Sequence, residues 1–217
     1  MNLLIIGAPG AGKGTMSELI LEQYGLIHVS TGDMLREAVR NETEVGLKAQ
    51  DYMNRGALVP DEIIHDIILE RFSRDDMDAG FLFDGYPRTE AQAEDLTLIL
   101  NETGKKVDQV INLDIADDLL VKRITGRRLC PNCGDISNIY FSPTKVEGIC
   151  DKCGHEIIQR KDDNLESLTK RLEEYHKNTQ PVIEYYDKMG IVRHVDASQS
   201  VEKVFEDVKA ILEGLCK

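Results

Sequence analysis

The sequence predicts an α/β protein with a doubly wound parallel sheet that is interrupted by two insertions. Two observations support this fold class. Short apolar runs alternate along the chain with segments of helical periodicity, which is typical of parallel strands connected by helices. A glycine-rich segment directly follows the first apolar run, where sheets of this kind usually place a ligand-binding turn.

The first strand is predicted at residues 3–6, a continuous apolar run suited to burial on both faces of a sheet. Beyond the glycine-rich segment, a helix is predicted from about Lys13, because apolar residues recur at steps of three and four. The last helix follows a capping residue, Ser200, and carries an apolar face that ends at Leu215. Further strands are predicted at residues 27–30, 81–84, 107–115 and 191–195.

Composition narrows the possible functions. The chain has 217 residues and a formal charge of −13, which argues against a broad nucleic-acid interface, because such interfaces need basic surfaces. No run approaches the roughly 18 to 20 apolar residues that span a bilayer, and no secretory signal is evident at the N-terminus. We therefore expect a cytoplasmic protein without membrane or nucleic-acid partners.

The glycine-rich segment reads GAPGAGKGT over residues 7–15 and fits the phosphate-binding P-loop pattern, with Gly14 in its last position and Thr15 following. Between a strand and a helix, its backbone N–H groups can surround a phosphate. Lys13 can then reach the outer phosphates, and the Thr15 hydroxyl can face magnesium. The predicted phosphate-binding residues are Gly10, Ala11, Gly12, Lys13, Gly14 and Thr15.

A second candidate site is FDGYPR at residues 83–88, which follows a predicted strand. Asp84 can hold magnesium through water, and Arg88 can pair with a phosphate, because a guanidinium presents a fixed fork of donors. Other arginines lie where loops could bring them to the same cleft. These are Arg36, Arg123, Arg127, Arg160 and Arg171.

Four of the five cysteines form two C-x-x-C pairs, which residues 134–149 separate as in a zinc ribbon. The surrounding segment has no helical period, and short strands are predicted in it at 139–141 and 157–158. A metal held by Cys130, Cys133, Cys150 and Cys153 would order it, and four protein ligands make that metal structural. Iron would also accept four thiolates, and His155 could replace one cysteine. We assign no role to the fifth, Cys216.

These motifs occur together with STGDMLR at 30–36, DGYPRT at 84–89, GRR at 126–128 and RKDD at 160–163, and in this order the chain resembles the adenylate kinase family over essentially its whole length. The cysteine segment resembles the zinc lid of the long bacterial form. The resemblance implies a monomer that transfers a phosphoryl group reversibly from Mg-ATP to AMP, giving two ADP. It divides the chain into a core of residues 1–29, 60–125 and 164–217, an AMP-binding insertion of 30–59, and a lid of 126–163.

The resemblance also implies roles for individual residues. The catalytic group is Lys13, Asp84, Arg88, Arg127, Arg160 and Arg171. ATP contacts beyond the P-loop are implied for Arg123, Arg127, Ile136, Ser137 and Gln199. AMP contacts are implied for Thr31, Arg36, Ala57, Leu58, Val59, Gly85, Tyr86, Pro87, Arg88, Gln92, Arg160 and Arg171. The far hinge of the lid carries Asp162 and Asp163.

The chain departs from the family pattern at three places: Ile136-Ser137 in the lid, Tyr86 in place of phenylalanine, and Ala197 in place of glycine. Two other readings remain. Uridylate and cytidylate kinases resemble this chain but typically carry alanine at the position of Thr31 and a short lid. A zinc-ribbon module that binds nucleic acid or a partner would need a basic lid, whereas this lid mixes both charges.

Overall fold

In the computed structural model, residues 1–72 and 76–215 are described, and they form a parallel sheet with helices on both faces. The strands of this sheet are β1 (Asn2–Gly7), β2 (Ile27–Ser30), β3 (Phe81–Asp84), β4 (Gln109–Asp114) and β7 (Val192–Asp196). Their order across the sheet is β2-β3-β1-β4-β7. A separate antiparallel ribbon consists of β5 (Arg127–Leu129) and β6 (Ile136–Asn138). The predicted fold class is therefore confirmed.

Helices connect these strands. They are α1 (Lys13–Tyr24), α2 (Thr31–Arg40), α3 (Glu44–Arg55), α4 (Asp61–Phe72), α5 (Glu90–Glu102), α6 (Asp117–Thr125), α7 (Leu165–Glu174), α8 (Gln180–Asp187) and α9 (Val201–Leu215). A 3₁₀ turn spans Met77–Ala79, and a π-helical turn, Tyr175–Thr179, joins α7 to α8. The predicted cap of α9 is present, because Lys203 N–H donates to Ser200 Oγ. Among the described helices, none has the length and apolarity needed to cross a membrane.

The apolar run of β1 is continuous because the sheet is covered on both faces. Leu3 and Ile5 lie in a cluster with buried residues of α1 and α9, whereas Leu4 and Ile6 lie in a second cluster with α4, α5 and α8. Alternate residues of one strand thus serve two cores. The central strand is therefore rigid where the glycine-rich segment leaves it.

The strand order brings the two candidate phosphate sites together. β1 lies between β3 and β4, and the register pairs Ile5 with Asp84 and Gly7 with Leu113. The carboxyl ends of these parallel strands share one edge of the sheet, which is where folds of this class bind ligands. The glycine-rich loop after β1 and the loop after β3 consequently begin side by side.

Of the two strands predicted in the cysteine segment, one is wrong and the other is reduced to a single bridge. Residues 139–141 form a turn rather than a strand, because Tyr140 N–H donates to the side chain of Asn138, and Ser142 N–H donates to the Asn138 carbonyl. The strand lies three residues earlier, at β6 (Ile136–Asn138). The strand predicted at 157–158 is reduced to a single bridge between Ile158 and Leu129. Cys216 lies outside the described residues.

Candidate active site

The glycine-rich loop forms an open cradle at the N-terminus of α1. Gly12 caps this helix with a φ of 100°, a conformation that favours glycine, and no side chain bonds to the first turn. A Cβ built at Gly12 would meet nothing within 4 Å, so there is open space beside the loop at this residue. The other side of the loop is anchored, because Ala8 packs with Leu120 and Ile124 of α6. This arrangement suits a phosphate group.

Lys13 folds back over the loop. Its Nζ donates to the carbonyl oxygens of Gly7 at 2.7 Å and Ala8 at 3.1 Å. Burial lowers the pKa of Lys13 from 10.5 to about 8, and nearby arginines add to the lowering while Asp84 opposes it. The ammonium group is therefore a costly charge in this cleft until an anion arrives.

Arg88 is held at the end of the loop that follows β3. Its Nε donates to the Gly85 carbonyl at 2.7 Å, and the Thr31 hydroxyl donates to the same oxygen at 3.0 Å. Gly85 has a φ of 76°, which bends the chain back toward Arg88. The guanidinium is accessible from the cleft, yet dense protein on its other sides lowers the pKa of Arg88 to about 10.

The cations converge on one cleft. Lys13 is close enough to Arg88, Arg171 and Arg127 for their charges to lower its pKa. Burial also lowers the pKa of Arg160 to about 10, and Arg36 and Arg127 contribute. Within the described residues, Arg160 Nε is buried without a hydrogen-bond partner. Such a concentration of partly desolvated positive charge is suited to a polyanion.

Two carboxylates at the end of the cysteine segment hold two of these arginines. Asp163 is fully buried and accepts two hydrogen bonds from Arg127, one of them from Nε at 2.8 Å. Asp162 accepts from Arg171 Nη1 at 3.0 Å. The acidic residues at 162 and 163 thus orient two arginines of the cleft.

Most residues predicted to contact AMP surround one cavity of about 90 Å³ beneath these arginines. The predicted residues that line it are Thr31, Arg36, Ala57, Leu58, Val59, Gly85, Tyr86, Arg88, Gln92 and Arg171. Pro87 and Arg160 are not in its lining. The assignment of these residues to AMP binding remains a prediction, but ten of them share one concave surface.

The residues predicted for ATP are less uniformly placed. Arg123 crosses to the glycine-rich loop and donates to Ala11 O at 3.3 Å and Ala197 O at 2.8 Å. A backbone oxygen accepts the second bond, so alanine at 197 serves as well as glycine would. Ile136 lies above the loop, 3.8 Å from a Cβ built on Gly14. Ser137 pairs with Arg128 in the ribbon, and the Gln199 amide donates to Asp196 and Asp207.

The four cysteines of the ribbon converge. Their sulfurs all lie within 4.8 Å of one another, with Cys130 and Cys153 at 3.4 Å and Cys133 and Cys150 at 3.6 Å. These distances are too long for disulfides and close to the roughly 3.8 Å that tetrahedral Zn–S bonds of about 2.3 Å would give. The donor set therefore fits zinc, and the His155 ring is not needed.

Sequence reasoning missed two residues that support this site. Asp61 accepts from Gln92 Nε2 at 2.5 Å, and Thr179 donates to the Arg88 carbonyl at 3.0 Å. Both are remote in sequence from Arg88. The only sequence signal is that Asp61 opens a helix directly after Pro60, which is equally typical of an ordinary helix start.

Fold and site together define a P-loop nucleotide-binding protein with a cation-lined cleft and a cysteine-bound lid. The family model for adenylate kinase matches residues 5–191. An adenylate kinase of Geobacillus sp. (strain WCH70) is 51% identical over 99% of this chain and 100% of its own. One of Bacillus subtilis (strain 168) is 50% identical over the full length of both chains. One of Thermodesulfovibrio yellowstonii is 49% identical over 98% of this chain and 99% of its own. The chain belongs to the adenylate kinase family.

Proposed function

We propose that the chain transfers a phosphoryl group reversibly from Mg-ATP to AMP, giving two ADP. The observation that carries this proposal is the convergence of Lys13, Arg88, Arg127 and Arg171 on one cleft, where burial and mutual repulsion lower the pKa values of Lys13 and Arg88. Two anionic nucleotides placed end to end would neutralise these charges. Their binding would relieve the repulsion between these cations.

In this proposal the acceptor AMP occupies the cavity beside α2 and the donor ATP lies along the glycine-rich loop. Residues 30–59 act as the AMP-binding insertion, residues 126–163 as the lid, and the remainder as the core. Lys13 holds the outer phosphates of ATP, Arg88 holds the AMP phosphate, and Arg127, Arg160 and Arg171 stabilise charge on the transferred group. Asp84, at the end of β3, is the ligand that would hold the magnesium of Mg-ATP through water.

The reaction needs positioning more than proton transfer. A phosphate monoester has a second pKa near 6, so the attacking oxygen of AMP is already ionised at neutral pH. No general base is required, and the residues act by aligning two phosphate chains and by neutralising the transferred group. Water is the competing acceptor. Closure of the lid and the insertion over the cleft would exclude it.

The metal in the lid is proposed to be zinc in a structural role. Cys130, Cys133, Cys150 and Cys153 would occupy all four positions of a tetrahedral ion, which leaves none for substrate. When bound, the ion supplies order to the lid and takes no part in transfer. We further propose that the enzyme works as a monomer in the cytoplasm.

A coupled assay tests the reaction. ADP formation is measured with ATP as donor and AMP, UMP, CMP or GMP as acceptor, with magnesium present. AMP should give the highest kcat/KM. A preference for UMP or CMP would show that the chain acts as a uridylate or cytidylate kinase instead. An absence of ATP consumption with any monophosphate, together with salt-sensitive binding of nucleic acid, would instead favour the zinc-ribbon module.

A further inference from the structure

We propose that Asp61 is a positioning residue that fixes the Gln92 side-chain amide in one orientation, so that the acceptor cavity selects a nucleobase whose ring nitrogen is unprotonated. This inference rests on the proposed function and extends it to a residue outside the cavity lining. Asp61 touches neither phosphate nor base in this account. It acts through Gln92.

Asp61 bonds to the beginning of α5. One carboxylate oxygen accepts from Gln92 Nε2 at 2.5 Å, and the other accepts from the Thr89 hydroxyl at 3.3 Å. Thr89 also caps α5, since its hydroxyl oxygen accepts from Gln92 N–H at 3.1 Å. Gln92 is buried, so its side-chain amide cannot exchange these bonds for water at low cost.

The other end of the same amide is also fixed. Gln92 Oε1 accepts from the Arg88 backbone N–H at 2.7 Å. A backbone N–H can only donate and an ionised carboxylate can only accept. A flipped amide would therefore set donor against donor at Arg88 and oxygen against oxygen at Asp61. The two partners together allow a single orientation.

This orientation limits what Gln92 can offer to a ligand. Its nitrogen has one N–H left after bonding Asp61, and the residue lines the cavity proposed for AMP. That N–H requires an acceptor on the base. The ring nitrogen N1 of adenine accepts, whereas hypoxanthine, which has nearly the same shape, carries a proton there. Sites built around a buried donor discriminate against a ligand that cannot accept from it.

The same link supports the backbone of Arg88. Its N–H is held by Gln92 and its carbonyl oxygen accepts from Thr179 Oγ1 at 3.0 Å. Thr179 ends the π-helical turn between α7 and α8, and irregular turns of this kind are frequent at functional sites. Loss of Asp61 would thus loosen one of two supports of Arg88, and the Thr179 support would remain.

The test compares AMP with inosine monophosphate as acceptor. In Asp61→Ala the Gln92 amide loses one of the two partners that fix it, so the ratio of kcat/KM for AMP over inosine monophosphate should fall about tenfold, the effect of one hydrogen bond. The KM for AMP should rise while the KM for ATP stays unchanged. Asp61→Asn should restore most of the ratio, because its oxygen can accept from Gln92 while its amide donates to Thr89.

An unchanged ratio in folded Asp61→Ala, or an equal loss for both acceptors, would overturn the proposal. A second measurement needs no variant. In the nucleotide-free wild type, nuclear magnetic resonance should show one slowly exchanging and one rapidly exchanging proton on the Gln92 side-chain amide. Two rapidly exchanging protons would contradict a single fixed orientation of this amide. If the wild type fails to phosphorylate AMP while this signature is present, the proposed function is wrong, but the fixed orientation of the Gln92 amide is still supported.

Discussion

The central strand and the lid achieve order in different ways. Leu4 of β1 is fully buried, and apolar helices cover both faces of its sheet. In the lid, residues 126–163, by contrast, the buried positions are Gly126, Cys130, Cys150 and Asp163, none of them a large apolar residue, and Phe141 is 59% exposed. A lid of this size cannot bury enough apolar surface to order itself. The cysteines therefore take the place of an apolar core.

The two regions also hold their cations differently. In the core, Lys13 is held by the carbonyl oxygens of Gly7 and Ala8, which cannot move away from the loop. At the lid, Arg127 is held by the Asp163 carboxylate. A carboxylate is itself an anion, so a bound phosphate could compete with it for the arginine. The Lys13 ammonium thus rests on fixed backbone oxygens, whereas Arg127 rests on a carboxylate that an incoming anion can replace.

Disrupting the metal site should give the largest difference between the two regions. In Cys130→Ser we expect metal content to fall from about one ion per chain and the lid to lose its fixed structure, because a structural ion supplies its folding free energy. Elemental analysis and limited proteolysis within residues 127–162 measure both effects. Cys216→Ser is the matched control, with full metal content expected. Unchanged metal content in Cys130→Ser would refute the cluster.

Truncating a buried side chain of the core should lower the free energy of unfolding far more than truncating an exposed side chain of the lid. Leu4→Ala should lower the free energy of unfolding by about 2–5 kcal/mol, since it leaves a cavity among fully buried neighbours. Phe141→Ala should change it by less than about 0.5 kcal/mol, because that ring is largely exposed. Urea unfolding followed by circular dichroism measures both. Similar losses in the two variants would show that the lid contains an apolar core after all.

Removal of the core arginine tests the cleft separately from the fold. Arg88→Ala should lower kcat about 10²–10³-fold, because in the proposed function the side chain holds the attacking phosphate of AMP in line for transfer. Unfolding should be nearly unchanged, since the guanidinium faces the cleft. Arg193→Ala is the control, because among the described residues Arg193 donates to the backbone carbonyls of Gly190 and Val192, at the start of β7. Turnover near that of wild type in Arg88→Ala would exclude Arg88 from the site.

The smallest expected effect is a pH dependence of ATP affinity. The pKa of Lys13 in the free protein is about 8, and a bound polyphosphate should raise it toward the ordinary 10.5. The bound form then carries more protons than the free form, so affinity falls as pH rises above about 8, by at most about tenfold per pH unit. Calorimetry at pH 9 in two buffers of different ionisation enthalpy should detect proton uptake on binding. Proton release would contradict the shift.

Much of the fold could be predicted because its signals are local. The run at residues 3–6, the glycine pattern and the spacing of the cysteines each depend on neighbours in sequence. The prediction of a strand at 139–141 was wrong because it, too, used only local signals. Ile139, Tyr140 and Phe141 have high strand propensity, yet the bonds of Asn138 close a turn there and leave all three exposed. Propensity does not report which residues find a partner strand.

The fold class, the glycine-rich loop, the four-cysteine cluster and the set of arginines available to the cleft could be predicted from local patterns in the sequence. Only the folded chain shows which carboxylate bonds to which arginine, and that Thr179 directly and Asp61 through Gln92 support the backbone of Arg88. The difference follows from distance along the chain. Periodicity and loop patterns act over a few residues, whereas hydrogen bonds between residues 61 and 92, or 88 and 179, exist only once the sheet has brought those segments together.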